Sequence, residues 1–160
     1  MIIFNPISMH DGFALKEICR WLPTEPEILE IGCGKSTRLL GSLGNVCTVD
    51  MDFERLEYFG TPNRVHCNSL EFEPKQKYDL IFLDGNHTYP HVKQDIDKYL
   101  PWVKEGGYLC GHDFECHEFY EKDIGVDFNN GRHSGVIKAV TETFKDIITF
   151  PNSCVWAVKV

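Results

Sequence analysis

No stretch of this sequence is apolar for long enough to cross a bilayer. Residues 1–6 lack the basic lead of a secretory signal and are broken by Asn5 and Pro6 before any apolar run develops. The expectation is a cytoplasmic protein with no membrane partner. A basic surplus is also missing: sixteen Lys and Arg stand against 24 Asp and Glu, giving a formal charge of −8, and the basic residues from Lys16 to Lys159 form no run or stripe. That balance argues against nucleic acid as a partner and for a small molecule, while oligomeric state leaves no sign in the sequence. Cysteine is present without the pattern of a disulfide framework. There are seven, an odd number, mostly inside apolar runs, which fits reduced thiols. Cys110, His112, Cys116 and His117 are of zinc-binding types but lack the paired Cys-x-x-Cys spacing of a structural site. Repeats, low-complexity tracts and linkers are absent, so residues 1–160 are expected to form one domain, with 1–23 as a helix or lid segment.

What is there is organised around Ile28-Leu29-Glu30-Ile31-Gly32-Cys33-Gly34-Lys35-Ser36-Thr37. An apolar run, a glycine-rich turn and a helix-like continuation predict a buried parallel strand turning into a helix over 37–43. Asp11 is positioned to cap an earlier helix carrying Phe13, Leu15, Ile18, Trp21 and Leu22. Further strands are predicted at 46–50, 64–68, 78–84 and 108–113, with helices at 52–58 and on the Val92, Ile96, Leu100, Val103 face, and Gly106-Gly107 turning the chain into the fifth strand. A helix through Val136, Val140 and Phe144 precedes two last strands. The Pro151-Asn152-Ser153 link between them is too short for a parallel crossover and implies an antiparallel hairpin. The predicted fold is α/β: a Rossmann-like, doubly wound, mostly parallel sheet with a terminal antiparallel hairpin strand. Asp50, Asn68, Asp84 and Asp113 end, or lie just beyond, four of the strands and so converge on one edge with the glycine turn.

With these elements in place, the chain from about Pro26 to Val160 resembles the class I S-adenosylmethionine-dependent methyltransferases. Glu30-Ile31-Gly32-Cys33-Gly34 resembles their first motif and Asp50 the acid ending their second strand, with Ser36 where a third glycine is common. The terminal hairpin separates that fold from the nicotinamide-binding one, and Thr37 stands at the third glycine of Gly-x-Gly-x-x-Gly. Asp84-Gly85-Asn86-His87-Thr88-Tyr89, with His112-Asp113, resembles the small metal-dependent O-methyltransferase branch that includes macrolide-sugar and other natural-product enzymes. The resemblance implies one methyltransferase domain over 1–160, with Asp84, His112 and Asp113 as ligands for Mg²⁺ or Mn²⁺ and His87 as the base. His112 stands where relatives can carry a second acid.

For the donor, S-adenosylmethionine, the implied contacts are Glu30, Gly32, Gly34, Asp50, Asn68, Ser69 and Asp84. A carboxylate at Asp50 accepts from both ribose hydroxyls, or else caps the next helix. Glu30 orients the donor ammonium or braces the turn; Asn68 and Ser69 meet the adenine edge or cap a turn. Asp84 and Asp113 share a hard cation that acidifies an acceptor hydroxyl, or cap adjacent helices and bind none. The expected function is O-methylation of a small hydroxylated molecule such as a sugar or natural product. The alternative is a donor-binding module without activity. Residues 114–133, aperiodic and beyond the last acid, are expected to cover the site and recognise the acceptor.

Overall fold

The computed structural model describes residues 7–59, 61–114 and 132–160, with side chains from 134 in the last segment. Among the described residues seven strands, β1 (Glu27–Ile31), β2 (Asn45–Asp50), β3 (Asn63–His66), β4 (Tyr78–Leu83), β5 (Val103–Gly111), β6 (Ile148–Thr149) and β7 (Trp156–Lys159), form one sheet in the order β3-β2-β1-β4-β5-β7-β6. The first five are parallel, and β7 runs antiparallel to both β5 and β6. This is the Rossmann-like, mostly parallel α/β sheet with the terminal hairpin expected from the sequence. The order reverses between β1 and β4, and a ligand crevice opens above the carboxyl ends at such a reversal.

The strands read as continuous apolar runs because both faces are covered, and the pleat sorts each run in two. Ile28, Val46, Leu80, Phe82, Tyr108 and Cys110 pack under helices α1 (Met9–Arg20) and α2 (Lys35–Leu43), meeting Ala14, Leu15, Ile18 and Leu40. Leu29, Ile31, Val49, Ile81, Leu83 and Leu109 face α4 (Tyr89–Tyr99) and α5 (Arg132–Thr143) on the other side, where Val92, Ile96, Val136 and Val140 meet them. Helix α3 (Phe53–Phe59) carries the chain from β2 to β3. No helix among the described residues is long and apolar enough to cross a membrane.

Local expectations are corrected at three points: the cap of α1, the end of the α4 face and the glycine pair before the end of β5. Ser8, not Asp11, caps α1: its hydroxyl oxygen accepts the Asp11 N–H at 3.1 Å. The helix buries Ala14, Leu15 and Ile18 while Phe13 and Trp21 stay about half exposed, because the sheet covers only a narrow stripe of α1. Val103 does not extend the α4 face. Pro101 sits in a 3₁₀ turn, Leu100–Trp102, and Val103 already pairs with Tyr78 in β5. Gly106 and Gly107 lie inside β5, where the register shifts between Tyr78 and Leu80 and Gly106 takes φ +79°, so the pair forms a bulge within the strand. The stretch 115–131, with Cys116 and His117, lies outside the described residues, as do residues 1–6.

Candidate functional site

The floor of the crevice is the turn from β1 into α2. Gly32 holds φ +89°, and a Cβ there would stand 2.2 Å from the Asp84 carbonyl oxygen, so only glycine lets β1 and β4 close up at this level. Gly32 N–H donates to Val49 O at 2.8 Å and Asp84 N–H to Ile31 O at 2.8 Å, locking the ends of β1, β2 and β4 together. Gly34 caps α2, and its N–H donates to Thr37 Oγ1 at 2.8 Å. Above this floor opens a crevice of about 470 Å³, lined by Gly32, Asp50, Asn68, Ser69, Asp84 and His87 among others. Its size suits a nucleoside-sized ligand.

Asp50 reaches into the crevice from the end of β2. One carboxylate oxygen accepts the Cys33 N–H and the other the Asp52 N–H, each at 2.7 Å, which leaves lone-pair capacity on both. Asn68 and Ser69 lie beyond β3, which ends at His66, two residues before the predicted end. Asn68 Oδ1 accepts the Leu70 N–H at 2.9 Å, and the Ser69 hydroxyl donates to the buried Asp95 at 2.9 Å. Arg55, which sequence reasoning passed over, also lines the crevice, and its guanidinium donates to Cys33 O at 2.5 Å. Nothing local marks it: it is one of several basic residues on exposed helix positions, and only the return of α3 over the glycine turn brings it there.

Glu30 does not line the crevice. It shares the pleat side of Ile28 and points under α2, fully buried, where its carboxylate accepts from Ser36 Oγ at 2.7 Å and Thr48 Oγ1 at 3.0 Å. This is the turn-bracing arrangement. Burial pushes the carboxyl up to about 7 against the hydrogen bonds from Ser36, Thr37 and Thr48, with the Asp84 charge adding to the rise and Cys33 the other titratable neighbour. In the window from about 4.5 to 7 the folded chain keeps a proton that the unfolded chain releases, so this group's stabilisation is full below that window and lost as pH rises through it. Glu30→Gln is therefore expected to remove a fall of about 2.5 kcal/mol in unfolding free energy between pH 5 and 8. Urea unfolding of both proteins at the two pH values checks it.

The carboxyl ends of β4 and β5 carry the second half of the site. Ligand atoms of Asp84, His87 and Asp113 all lie within 4.8 Å of one another. His87 Nε2 is 2.8 Å from Asp113 Oδ2 and 3.5 Å from Asp84 Oδ1. Hydrogen bonds to Asp113 and Asp84 push His87 up to about 9 despite its burial. Burial raises Asp84, opposed by His87, whereas His112 and His87 together hold Asp113 well below the usual carboxylate range despite burial. Asp113 sits at φ +59°, a conformation uncommon outside glycine. Asn86 shapes the intervening turn by accepting from the Thr88 N–H at 2.9 Å and hydroxyl at 2.8 Å. His112 is beside this cluster but not in it: Nδ1 faces Asp113 Oδ1 and Nε2 faces Asp11 Oδ2, both at 3.2 Å. Of the seven donor positions and three ligand positions read from the sequence, the structure thus gathers Gly32, Asp50, Asn68, Ser69 and Asp84 at the crevice. Asp113 joins Asp84 and His87; Glu30, Gly34 and His112 support from behind.

Two carboxylates and an imidazole at this spacing form a donor set suited to a hard or borderline divalent cation, and the two negative charges around one imidazole fit a positive ligand. A vicinal diol is suited to the Asp50 carboxylate on the opposite side of the glycine floor.

The sequence profile of a family described as a methyltransferase domain matches residues 29–114. An uncharacterized protein of Acanthamoeba polyphaga mimivirus is 29% identical over 62 residues, a match covering 35% of this chain and 28% of that protein. The match therefore spans little more than a quarter of the curated relative's length. Among solved structures, a Staphylococcus aureus protein provisionally named a caffeoyl-CoA O-methyltransferase superposes with TM-score 0.70 at 17% identity, covering 96% of this chain and 84% of that one. MycE methyltransferase of the mycinamycin biosynthetic pathway, in complex with Mg and SAH, superposes with TM-score 0.67 at 16% identity, covering 98% of this chain and 50% of that one. At these identities the superpositions establish a shared fold.

Proposed function

The chain belongs to the methyltransferase domain family, and from that premise we propose that it transfers a methyl group from S-adenosylmethionine to a hydroxyl of a small molecule, such as a sugar or a natural product, with help from a divalent cation. The observation that carries this reading is the convergence of a donor half (Gly32, Asp50) and an acid–imidazole half (Asp84, His87, Asp113) on one sheet edge. S-adenosylmethionine, when bound, supplies an electrophilic methyl group. Asp50 offers the remaining lone pairs of its two oxygens to the ribose diol, Gly32 keeps the floor low, and Asn68 and Ser69 lie where an adenine edge would be met. Gly34 and Glu30 brace the turn from below.

Mg²⁺ or Mn²⁺, when bound, supplies Lewis acidity that makes an acceptor hydroxyl a better nucleophile. Asp84 and Asp113 provide the carboxylates for it, and His87 lies against both. Hydrogen bonds to those carboxylates hold the proton on His87. With a divalent cation held by that pair, the carboxylates would hold the His87 proton less strongly, and the imidazole would be the group placed to accept the acceptor's proton. His112, the third ligand expected from the resemblance, is instead the outer partner of Asp113 in this reading, because both of its ring nitrogens face carboxylates. That MycE, which shares this fold, is found in complex with Mg and SAH supports the metal-assisted reading.

Calorimetric titration tests the proposal. S-adenosylhomocysteine is expected to bind and NAD not to, and Mn²⁺ is expected to bind to wild-type protein. Binding of NAD in place of S-adenosylhomocysteine would sink the donor assignment; a chain that ignores Mn²⁺ would sink the metal assignment.

A further inference from the structure

Asp11 lies on α1, outside the crevice, yet it is tied to the strand-end cluster by two routes. Its Oδ2 accepts the Ser8 hydroxyl at 2.5 Å and faces His112 Nε2 at 3.2 Å, while its Oδ1 accepts the Ser153 hydroxyl at 2.7 Å and the Cys154 N–H at 3.0 Å. Through His112 the first route continues to Asp113 Oδ1, and from Asp113 Oδ2 to His87, so acids and imidazoles alternate without a break from Asp11 to Asp84. The second route is backbone: Cys154, whose N–H goes to Asp11, gives its carbonyl to the Phe114 N–H at 2.9 Å. Asp113 lies between these two attachments, in a left-handed conformation that a non-glycine residue keeps only when its surroundings hold it there.

We propose that Asp11 is a positioning residue for the strand-end site: acting through His112, it fixes the Asp113 carboxylate, and with it His87, in the arrangement that receives a divalent cation. An ionised carboxylate only accepts hydrogen bonds, so a histidine between two of them keeps an N–H on each ring nitrogen and donates to both. His112 is then a rigid strut. It sets the distance and plane of Asp113 in the way that an outer partner orients a metal-binding side chain. Asp11 supplies the anchored end of the strut, itself 7% exposed and saturated by Ser8, Ser153 and Cys154. The N-terminal helix is in this way part of the functional centre, and the segment 112–114 is held from α1 and from the β6–β7 link at once. The cation in this statement rests on the metal-assisted reading above; the positioning of Asp113 and His87 does not.

The test uses the whole chain without metal and then with it. Two-bond nitrogen–proton spectra of the His87 and His112 rings at neutral pH, together with Mn²⁺ titration, compare wild type with Asp11→Asn. The variant is expected to move the cross-peaks of both histidines and to weaken Mn²⁺ binding by about 10- to 100-fold, with S-adenosylhomocysteine binding unchanged. His87 cross-peaks that match wild type in the folded variant overturn the proposal. Ser153→Ala is the control for a merely structural tie: it should lower the melting temperature and leave His87 in place, and an equal His87 displacement there also overturns the proposal. If Asp11→Asn does not fold, His112→Gln, which donates to one carboxylate but does not span both, carries the same expectation and the same overturning result. Wild-type protein that binds no Mn²⁺ sinks the metal-assisted reading alone, and the His87 cross-peaks still decide the role of Asp11.

Discussion

Asp50→Ala is expected to abolish measurable binding of S-adenosylhomocysteine while leaving a folded, moderately destabilised protein. In the proposed donor complex the Asp50 carboxylate accepts from two ribose hydroxyls, and hydrogen bonds to a charged acceptor contribute about 1.5–3 kcal/mol each. Losing both lowers affinity by about 10²- to 10⁴-fold. The stability cost has a separate origin. Cys33 is buried and its N–H has Asp50 as acceptor at 2.7 Å, so alanine leaves that donor without a partner, at about 1–3 kcal/mol. The Asp52 N–H, which bonds the other oxygen, belongs to an exposed residue where water takes over. Asp50→Asn should fall between the two: it keeps one acceptor oxygen but turns an NH₂ toward a backbone N–H. Calorimetry for the ligand and urea unfolding for the chain separate these effects, and full-strength ligand binding by folded Asp50→Ala would remove Asp50 from the donor site.

Much of this site was legible because parallel sheets impose rules that a single strand already obeys. Asp50, Asp84 and Asp113 each follow an apolar run, and once the runs are parallel their carboxyl ends have to share an edge. The turn at Gly32 was legible for the same reason: glycine after a buried strand marks a close approach, here to the Asp84 carbonyl. The hairpin followed from a link too short for a crossover. What the sequence did not convey depends on which way a side chain leaves its element and on contacts between distant segments. Glu30 differs from a crevice residue only in pleat parity, which puts it on the α2 side with Ser36 and Thr48. The partners of Asp11 at Ser153 and Cys154 are more than 140 positions away, so its acid read as a helix cap when that work falls to Ser8. His112 entered as a ligand only through the resemblance; in the fold its two ring nitrogens face Asp113 and the distant Asp11, a contact with α1 that no local pattern announces. Helical spacing placed Phe13 and Trp21 on one early helix but does not say how wide a stripe of it the sheet covers, and both stay about half exposed.

Asp84→Asn is expected to separate methyl transfer from donor binding. The substitution keeps the volume of the side chain and one acceptor oxygen, and it leaves the Asp84 N–H on Ile31 O, so the floor of the crevice is unaffected. Stability should change little or rise, because burial already disfavours the Asp84 charge. S-adenosylhomocysteine carries no sulfonium charge and should bind within about fivefold of wild type, since a part-screened carboxylate contributes about 1 kcal/mol or less to a neutral sulfur ligand nearby. Turnover depends on the pair of carboxylates and should fall by about 10³-fold, the equivalent of about 4 kcal/mol of lost charge stabilisation at the acceptor oxygen. Asp113→Asn should match it in turnover but not in stability: His87 and His112 both bond that carboxylate, so its neutralisation frees two imidazolium groups at once. Asp50→Ala and Asp84→Asn thus fail in opposite ways, one losing the donor and the other the reaction. A donor-binding module without activity would show only the first, and turnover that survives in Asp84→Asn and Asp113→Asn would leave the carboxylate pair without a chemical role.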